Sequence, residues 1–207
     1  MSKYQTPQEQ FWAGDFGDEY IERNKGSKLL ASNLYFFVNA LNQVKSIDSC
    51  LEFGANIGMN LKALKLLFPD LELKGVEINS IAADELSQTI GAENVFNESI
   101  FDYKTDAKAD LVLIKGVLIH VNPNKLEVVY EKLYESARKY ILIAEYYNPS
   151  PVNIAYRGHD DKLFKRDFAG EILDKYKDLM LTDYGFCYRR DTKFPLDDIN
   201  WFLLEKR

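Results

Sequence analysis

At 207 residues, 46% hydrophobic and 14% aromatic, the chain is long and apolar enough for one folded domain with a real core, which excludes an intrinsically disordered segment. Its 26 basic against 32 acidic side chains leave a net charge of −6, which excludes a sequence-independent binder of duplex DNA, because phosphate contacts need a basic face. With two cysteines, no charged-then-apolar leader and no apolar run of bilayer length, a cytoplasmic protein touching neither membrane nor nucleic acid is expected.

Residues 1–44 read as helical. Pro7-Gln8-Glu9-Gln10-Phe11-Trp12 opens a short helix that Gly14 and Gly17 should interrupt, and Tyr20 to Asn24 resumes it. Lys25-Gly26-Ser27 turns, and Ser27 is placed to cap a longer helix through Leu30, Leu34, Phe37, Val38 and Leu41. Phe11, Trp12, Phe16 and Tyr20 are either core aromatics or the inner face of a lid over a bound ligand, with Arg23 reaching a carboxylate. Both readings stay open.

The rest is organised around LEFGANIGMN, Leu51 to Asn60. An apolar strand (Ile47 to Phe53) runs into Gly54, and a helix with Leu61, Leu64, Leu67 and Phe68 on one face leaves from Gly58. Strand, glycine turn and helix make a ligand loop of nucleotide type, with backbone N–H groups aimed at the ligand. A dinucleotide fingerprint needs a second glycine where Asn56 stands. Glu52, Gly54, Asn56 and Gly58 instead spell acid-x-Gly-x-Asn-x-Gly, which resembles motif I of class I S-adenosylmethionine (SAM) methyltransferases. An acid at Glu52 favours the ammonium of that cofactor's amino-acid end.

After this loop, strands and helices alternate. Phe68-Pro69-Asp70 stops the first helix, and Leu71 to Ile78 reads as a second strand ending in GVEIN, with Asn79 capping the next helix. Glu77 falls 23 residues past Gly54, where an acid can accept both hydroxyls of a ribose. A third strand covers Asn94 to Glu98, a fourth Asp110 to Lys115, and a fifth Tyr140 to Glu145; between the last two, Asn122 and Pro123 start a helix to about Arg138. Met180 to Tyr188 and Asn200 to Glu205 suit an antiparallel pair at the sheet edge, an ending that resembles class I methyltransferases, whose last strand runs against the rest. The expected fold is therefore α/β and Rossmann-like: a mostly parallel sheet of about seven strands with helices on both faces. By the same resemblance the side chain of Ser99 and the backbone of Ile100 read the adenine, with Asp102 as the neighbouring alternative, and Asn60, Ile78, Lys115 and Gly116 complete the cofactor set with Trp12, Tyr20 and Arg23.

Ligands of such sheets sit beyond the carboxyl ends of the strands. His120 follows strand four, either as a local packing group or as a catalytic base. His159 lies in the long segment Glu145 to Asp174, where Asn148-Pro149 and Ser150-Pro151 rigidify the backbone and Tyr146, Tyr147 and Tyr156 supply aromatic walls. Arg157, Lys162 and Arg166, with Lys165, make it basic inside an acidic chain, which suggests an anionic small-molecule acceptor. Asp160 is placed to orient His159, while Asn148 joins the acceptor wall. No spacing of histidines and cysteines suits a metal.

EQFWAGDFGDEYIERN, LEFGANIGMNL, GVEIN, YYNPSPVNIAYRGHDDKLFKRDFAGEILD and FPLDDINWFLLEK together resemble the methylases associated with pseudaminic acid biosynthesis. That resemblance spans nearly the whole chain. It implies a single methyltransferase domain with a helical lid over residues 1–44, a core over 45–207 and an acceptor-binding insertion at about 146–168. The implied reaction moves the methyl of SAM to a sugar or sugar nucleotide of the nonulosonic type, for bacterial surface-glycan or flagellin glycosylation, and leaves S-adenosylhomocysteine (SAH). A hydroxyl acceptor needs a base, either His120 or His159; an amine acceptor does not. An NAD-dependent oxidoreductase and a silent SAM-binding partner are the rival readings.

Overall fold

β4 (Ala109–Lys115) is buried on both faces until its last residue, as expected of a strand at the centre of a covered sheet. The structure, a computed structural model, describes residues 4–104 and 107–207; residues 1–3 of the expected lid lie outside them. Ahead of the sheet run α1 (Pro7–Ala13), α2 (Asp15–Ile21) and α3 (Ser27–Ala40). Then come β1 (Ser49–Phe53), α4 (Met59–Leu67), β2 (Glu72–Val76), α5 (Ser80–Ile90), β3 (Val95–Phe96), β4, α6 (Leu126–Ser136) and β5 (Ala137–Glu145). The chain closes with the hairpin β6 (Val152–Asn153) and β7 (Phe164–Lys165), then α7 (Phe168–Lys175), β8 (Leu179–Phe186) and β9 (Asn200–Lys206). The main sheet has the order β3-β2-β1-β4-β5-β9-β8. Its first five strands are parallel, and β9 runs antiparallel to β5 and β8.

Side-chain parity along β4 assigns the two halves of the core. Leu111 and Leu113 pack with Phe36 and Phe37 of α3 and Leu61 and Leu64 of α4. Val112 and Ile114 face the other layer, with Val129 and Leu133 of α6 and Ile172 of α7. Cys50 belongs to the first layer as a buried free thiol.

Three local expectations change. Gly17 does not interrupt the leading helix; it lies inside α2, where a Cβ would come within 1.9 Å of the Trp12 carbonyl oxygen and 2.8 Å of Asn79 Nδ2. It is there so that two backbones can approach, and only the Gly14 break is real. Ser27 is the first residue of α3 rather than its cap, because Gly26 takes the capping position at φ 116 without a side-chain bond. Pro123–Lys125 forms a 3-10 turn capped by the Asn122 side chain, and the α-helix starts after it.

Candidate active site

All five parallel strands point their carboxyl ends the same way, and a cavity of about 480 Å³ lies beyond β1, β2 and β4. Its floor is the β1–α4 loop. The N–H groups of Gly54 and Ala55 donate to the Val76 carbonyl (2.8 and 3.1 Å), tying the loop to β2. Asn56, in the place of the missing glycine, is left-handed at φ 49, a conformation asparagine tolerates better than most residues. Its Oδ1 accepts the Ile57 N–H at 2.6 Å.

Glu77, at the end of β2, is buried yet lines the cavity. One carboxylate oxygen accepts the Asn56 N–H (2.7 Å) and the other the Asn79 N–H (2.8 Å), so this side chain joins the glycine loop to the start of α5. Burial raises its pKa from the ordinary carboxylate value, against the backbone N–H groups that lower it. Asn79 in turn caps α5 through Oδ1 on the Ala82 N–H and donates Nδ2 to Asp18 (2.7 Å). Cap, ribose candidate and cover thus share one hydrogen-bonded chain.

Two more acids sit behind the floor. Burial pushes Glu52 up to about 8; it accepts from Asn60 Nδ2 at 2.6 Å but does not line the cavity. Glu145, likewise raised by burial, to about 7, accepts the N–H groups of Val117 and Leu118 at 2.9 Å each and shapes the turn after β4. His120, in that turn, is buried and pushed down to about 4, with Nδ1 held 2.6 Å from the Lys162 carbonyl oxygen. A carbonyl only accepts, so Nδ1 carries the proton and Nε2 keeps a lone pair.

The leading helices cover this floor. Thr6 and Glu9 form a reciprocal cap at α1. Gln8 donates to the Asp161 carbonyl (2.9 Å) and accepts from Asn122 (3.1 Å), bridging the β5–α7 segment and the start of the turn before α6. Trp12 stands 4.5 Å from the His120 ring and edge-on to Phe16 and Tyr20.

Of the residues singled out from sequence, Trp12, Tyr20, Arg23, Gly54, Asn56, Asn60, Glu77, Ile78, Ser99, Ile100, Lys115, Gly116 and His120 line the one cavity. Glu52 and Gly58 lie beneath it, and Asp102 stands outside, accepting from Gln5. The segment after β5 behaves otherwise. Tyr156 reaches the edge of the site, 5.2 Å from the His120 ring, and Tyr146 hydrogen-bonds Asp197 of the cavity wall. Tyr147 leans outward on Phe202, and Asn148 closes a local turn on the Ser150 carbonyl.

The basic segment is partly neutralised, two of its four cations being paired with acids. Arg166 pairs with Glu171 at 2.5 Å, and buried Lys162 pairs with Asp161 at 2.8 Å. Arg157 is exposed over the Tyr156 ring at φ 50. His159 and Asp160 are exposed; His159 packs on Phe11 at 5.0 Å and does not line the cavity.

Several wall residues were not singled out from sequence: Glu9, Asn33, Arg189 and Asp197. Asn33 carried a signal, a polar residue at helical spacing between Leu30 and Phe37 on the apolar face of α3. It is 1% exposed, and its Oδ1 has no hydrogen-bond partner among the described residues. Trp12 Nε1, Glu9 Oε1 and Asn60 Oδ1 are orphaned in the same wall. So many unpaired polar atoms around one apolar-walled cavity are the mark of a ligand site.

No family model matches the sequence, and no curated protein matches it. Solved structures do. A 1,6-didemethyltoxoflavin N1-methyltransferase of Burkholderia thailandensis, with bound 1,6-didemethyltoxoflavin and SAH, aligns at TM-score 0.74 and 14% identity over 100% of this chain and 92% of its own. The magnesium protoporphyrin IX methyltransferase of Synechocystis PCC 6803, with bound SAM, aligns at 0.70 and 12% over the full length of both chains. A plantazolicin methyltransferase in complex with SAH gives 0.64 and 16%, over 97% and 94%. The chain therefore has the Rossmann-like fold of class I SAM-dependent methyltransferases.

Proposed function

We propose that this protein is a SAM-dependent methyltransferase acting on a small molecule, and within that class on a sugar or sugar nucleotide of the nonulosonic, pseudaminic type used in bacterial glycan synthesis. The observation that carries the first part is Glu77, which lines the cavity while holding the glycine loop through the Asn56 N–H. The acceptor rests on the sequence resemblance alone. Calorimetry with SAH and NAD tests the cofactor: SAH should bind, and NAD should not, because Asn56 stands where the dinucleotide fingerprint needs its second glycine. Labelled SAM with a panel of sugar nucleotides, read by mass spectrometry, tests the acceptor; no methylated member would remove the sugar assignment.

SAM supplies an activated methyl, so the protein's work is alignment, exclusion of water and removal of one proton. His120 is the better base. Its tautomer is set by the Lys162 carbonyl, leaving Nε2 as the only ring nitrogen able to accept a proton, and burial keeps the ring neutral throughout the physiological range. A low pKa makes it a modest base, suited to accepting a hydroxyl's proton as the methyl transfers. His120→Ala is expected to lower kcat by about 10²-fold with SAH affinity within about twofold, and His159→Ala to leave both unchanged. Loss of turnover in the His159 variant alone would reverse the assignment. If neither changes, transfer rests on alignment, and an amine acceptor is favoured.

Residues 1–44 act as the cover in this reading, and residues 146–168 contribute Tyr146 and Tyr156 to the acceptor side. Proteolysis near Gly14, the break between α1 and α2, should slow when SAH is added, since a ligand bound beneath the cover opposes its opening. Equal cleavage with and without SAH would make these helices a fixed part of the core.

A further inference from the structure

Two cations line the cavity without an ion-pairing partner among the described residues. Arg23 stands 5.9 Å from the Phe16 ring, on the side covered by the leading helices. Lys115, at the end of β4, has its ammonium 5.7 Å from the Phe36 ring of α3. Phe36 lies one helical turn beyond Asn33, so the ammonium reaches the stretch of α3 that carries the orphaned amide oxygen, and both residues line the cavity, as do Leu29, Leu196 and Ile199. A buried amide oxygen with no donor is costly unless a ligand completes it, and a half-buried ammonium facing the same cavity is available to an anion.

We propose that this part of the cavity wall binds a carboxylate of the acceptor, with Lys115 as its charged anchor and Asn33 contacting a hydroxyl or amide N–H beside it. The inference rests on the methyltransferase reading in one respect: the cofactor has a single carboxylate, for which Arg23 is available, so the second unpaired cation calls for a second anion. Chemistry narrows the class. An ammonium supplies donors only, whereas Asn33 Oδ1 needs a donor, so an anion flanked by an N–H or O–H group satisfies both. Glu52, Asp197 and Glu145 lie within electrostatic reach of Lys115. A dianionic phosphate would meet those acids with one ammonium to offset it, which favours the singly charged carboxylate. Burial also lowers the Lys115 pKa, and an anion beside it would hold the proton on. The site for the acceptor's charge is thus the junction of α3, β4 and the β8–β9 connection, rather than the basic segment after β5.

The test uses protein labelled with ¹³C,¹⁵N-lysine and follows the Cε and Nζ signals of Lys115, assigned by their absence in Lys115→Met. That substitution keeps the side-chain length and removes the charge, and its melting temperature reports the fold. Propionate, added with and without saturating SAH, should move the Lys115 signals saturably in the millimolar range. Propionamide should not move them, and inorganic phosphate should do so more weakly. Lys115→Met should bind SAH within about twofold of the parent, which would move Lys115 from the cofactor set that the sequence resemblance implies to the acceptor side. A flat response to propionate in both conditions overturns the proposal. A tenfold or greater loss of SAH affinity in Lys115→Met, with SAH alone moving the signals, also overturns it by placing Lys115 on the cofactor's own carboxylate. Failure of the parent protein to bind SAH, with the propionate response intact, would defeat the cofactor reading and leave the carboxylate site standing.

Discussion

Gly54→Val is expected to abolish SAH binding and to destabilise the fold. Gly54 has φ +71, where an L-residue costs roughly 1–2 kcal/mol, and a β-branched one more. A Cβ there would sit 2.5 Å from Val117 Cγ2 and within 3.4 Å of the rest of that side chain. Val117 cannot simply swing away, because its N–H is held by Glu145. Overpacking of this kind adds about 1–3 kcal/mol, and with the φ cost the total of about 2–5 kcal/mol should lower the melting temperature by roughly 5–15 °C in a domain of this size. The clash also moves the two segments that form the cavity floor, the glycine loop and the turn after β4. Calorimetry and thermal melts check both parts; a folded Gly54→Val protein with parental SAH affinity would mean the cofactor does not approach this loop.

The second large effect is expected at Glu77. From sequence the residue is a ribose ligand, whose removal weakens SAH binding. The structure changes the forecast. Glu77→Ala leaves the N–H groups of Asn56 and Asn79 without their acceptor, each a hydrogen bond to a charged group worth about 1.5–3 kcal/mol. The cost of burying the carboxylate offsets part of this, so a loss of about 2–4 kcal/mol is expected in denaturant unfolding, together with weaker SAH binding. Glu77→Gln, which keeps one acceptor oxygen, should fall between. An Ala variant as stable as the parent would show that loop and helix cap hold without the bridge.

These cases show where sequence reasoning carried and where it stopped. The succession of strands and helices followed from periodicity because each apolar run is a local property: the uninterrupted run of β4 and the 3.6-residue pattern of α4 need no distant partner to be recognised. The polar residues at strand ends were likewise found by rule, since a parallel sheet sends its loops to one side. The charge of the segment after β5 was only partly legible, for a physical reason. Its positive charges are countable in sequence, but Arg166 is neutralised by Glu171 from α7 and Lys162 by Asp161. Composition does not reveal pairing.

The sequence by itself determined that this is an α/β chain with a glycine loop that resembles the SAM type, an acid at the end of its second strand, and two candidate histidines. It did so because hydrophobic period, glycine spacing and cap residues act over a few residues of backbone. Only the tertiary structure decided which histidine meets the cavity: Trp12, Tyr156 and the Lys162 carbonyl converge on His120 from three separate segments. It alone turned Glu77 into a bridge, and it alone put Lys115, with no ion-pair partner among the described residues, and Asn33, with its Oδ1 unbonded among them, on the wall of one cavity. Burial and desolvation belong to the packed assembly of distant segments, and no window of sequence contains them.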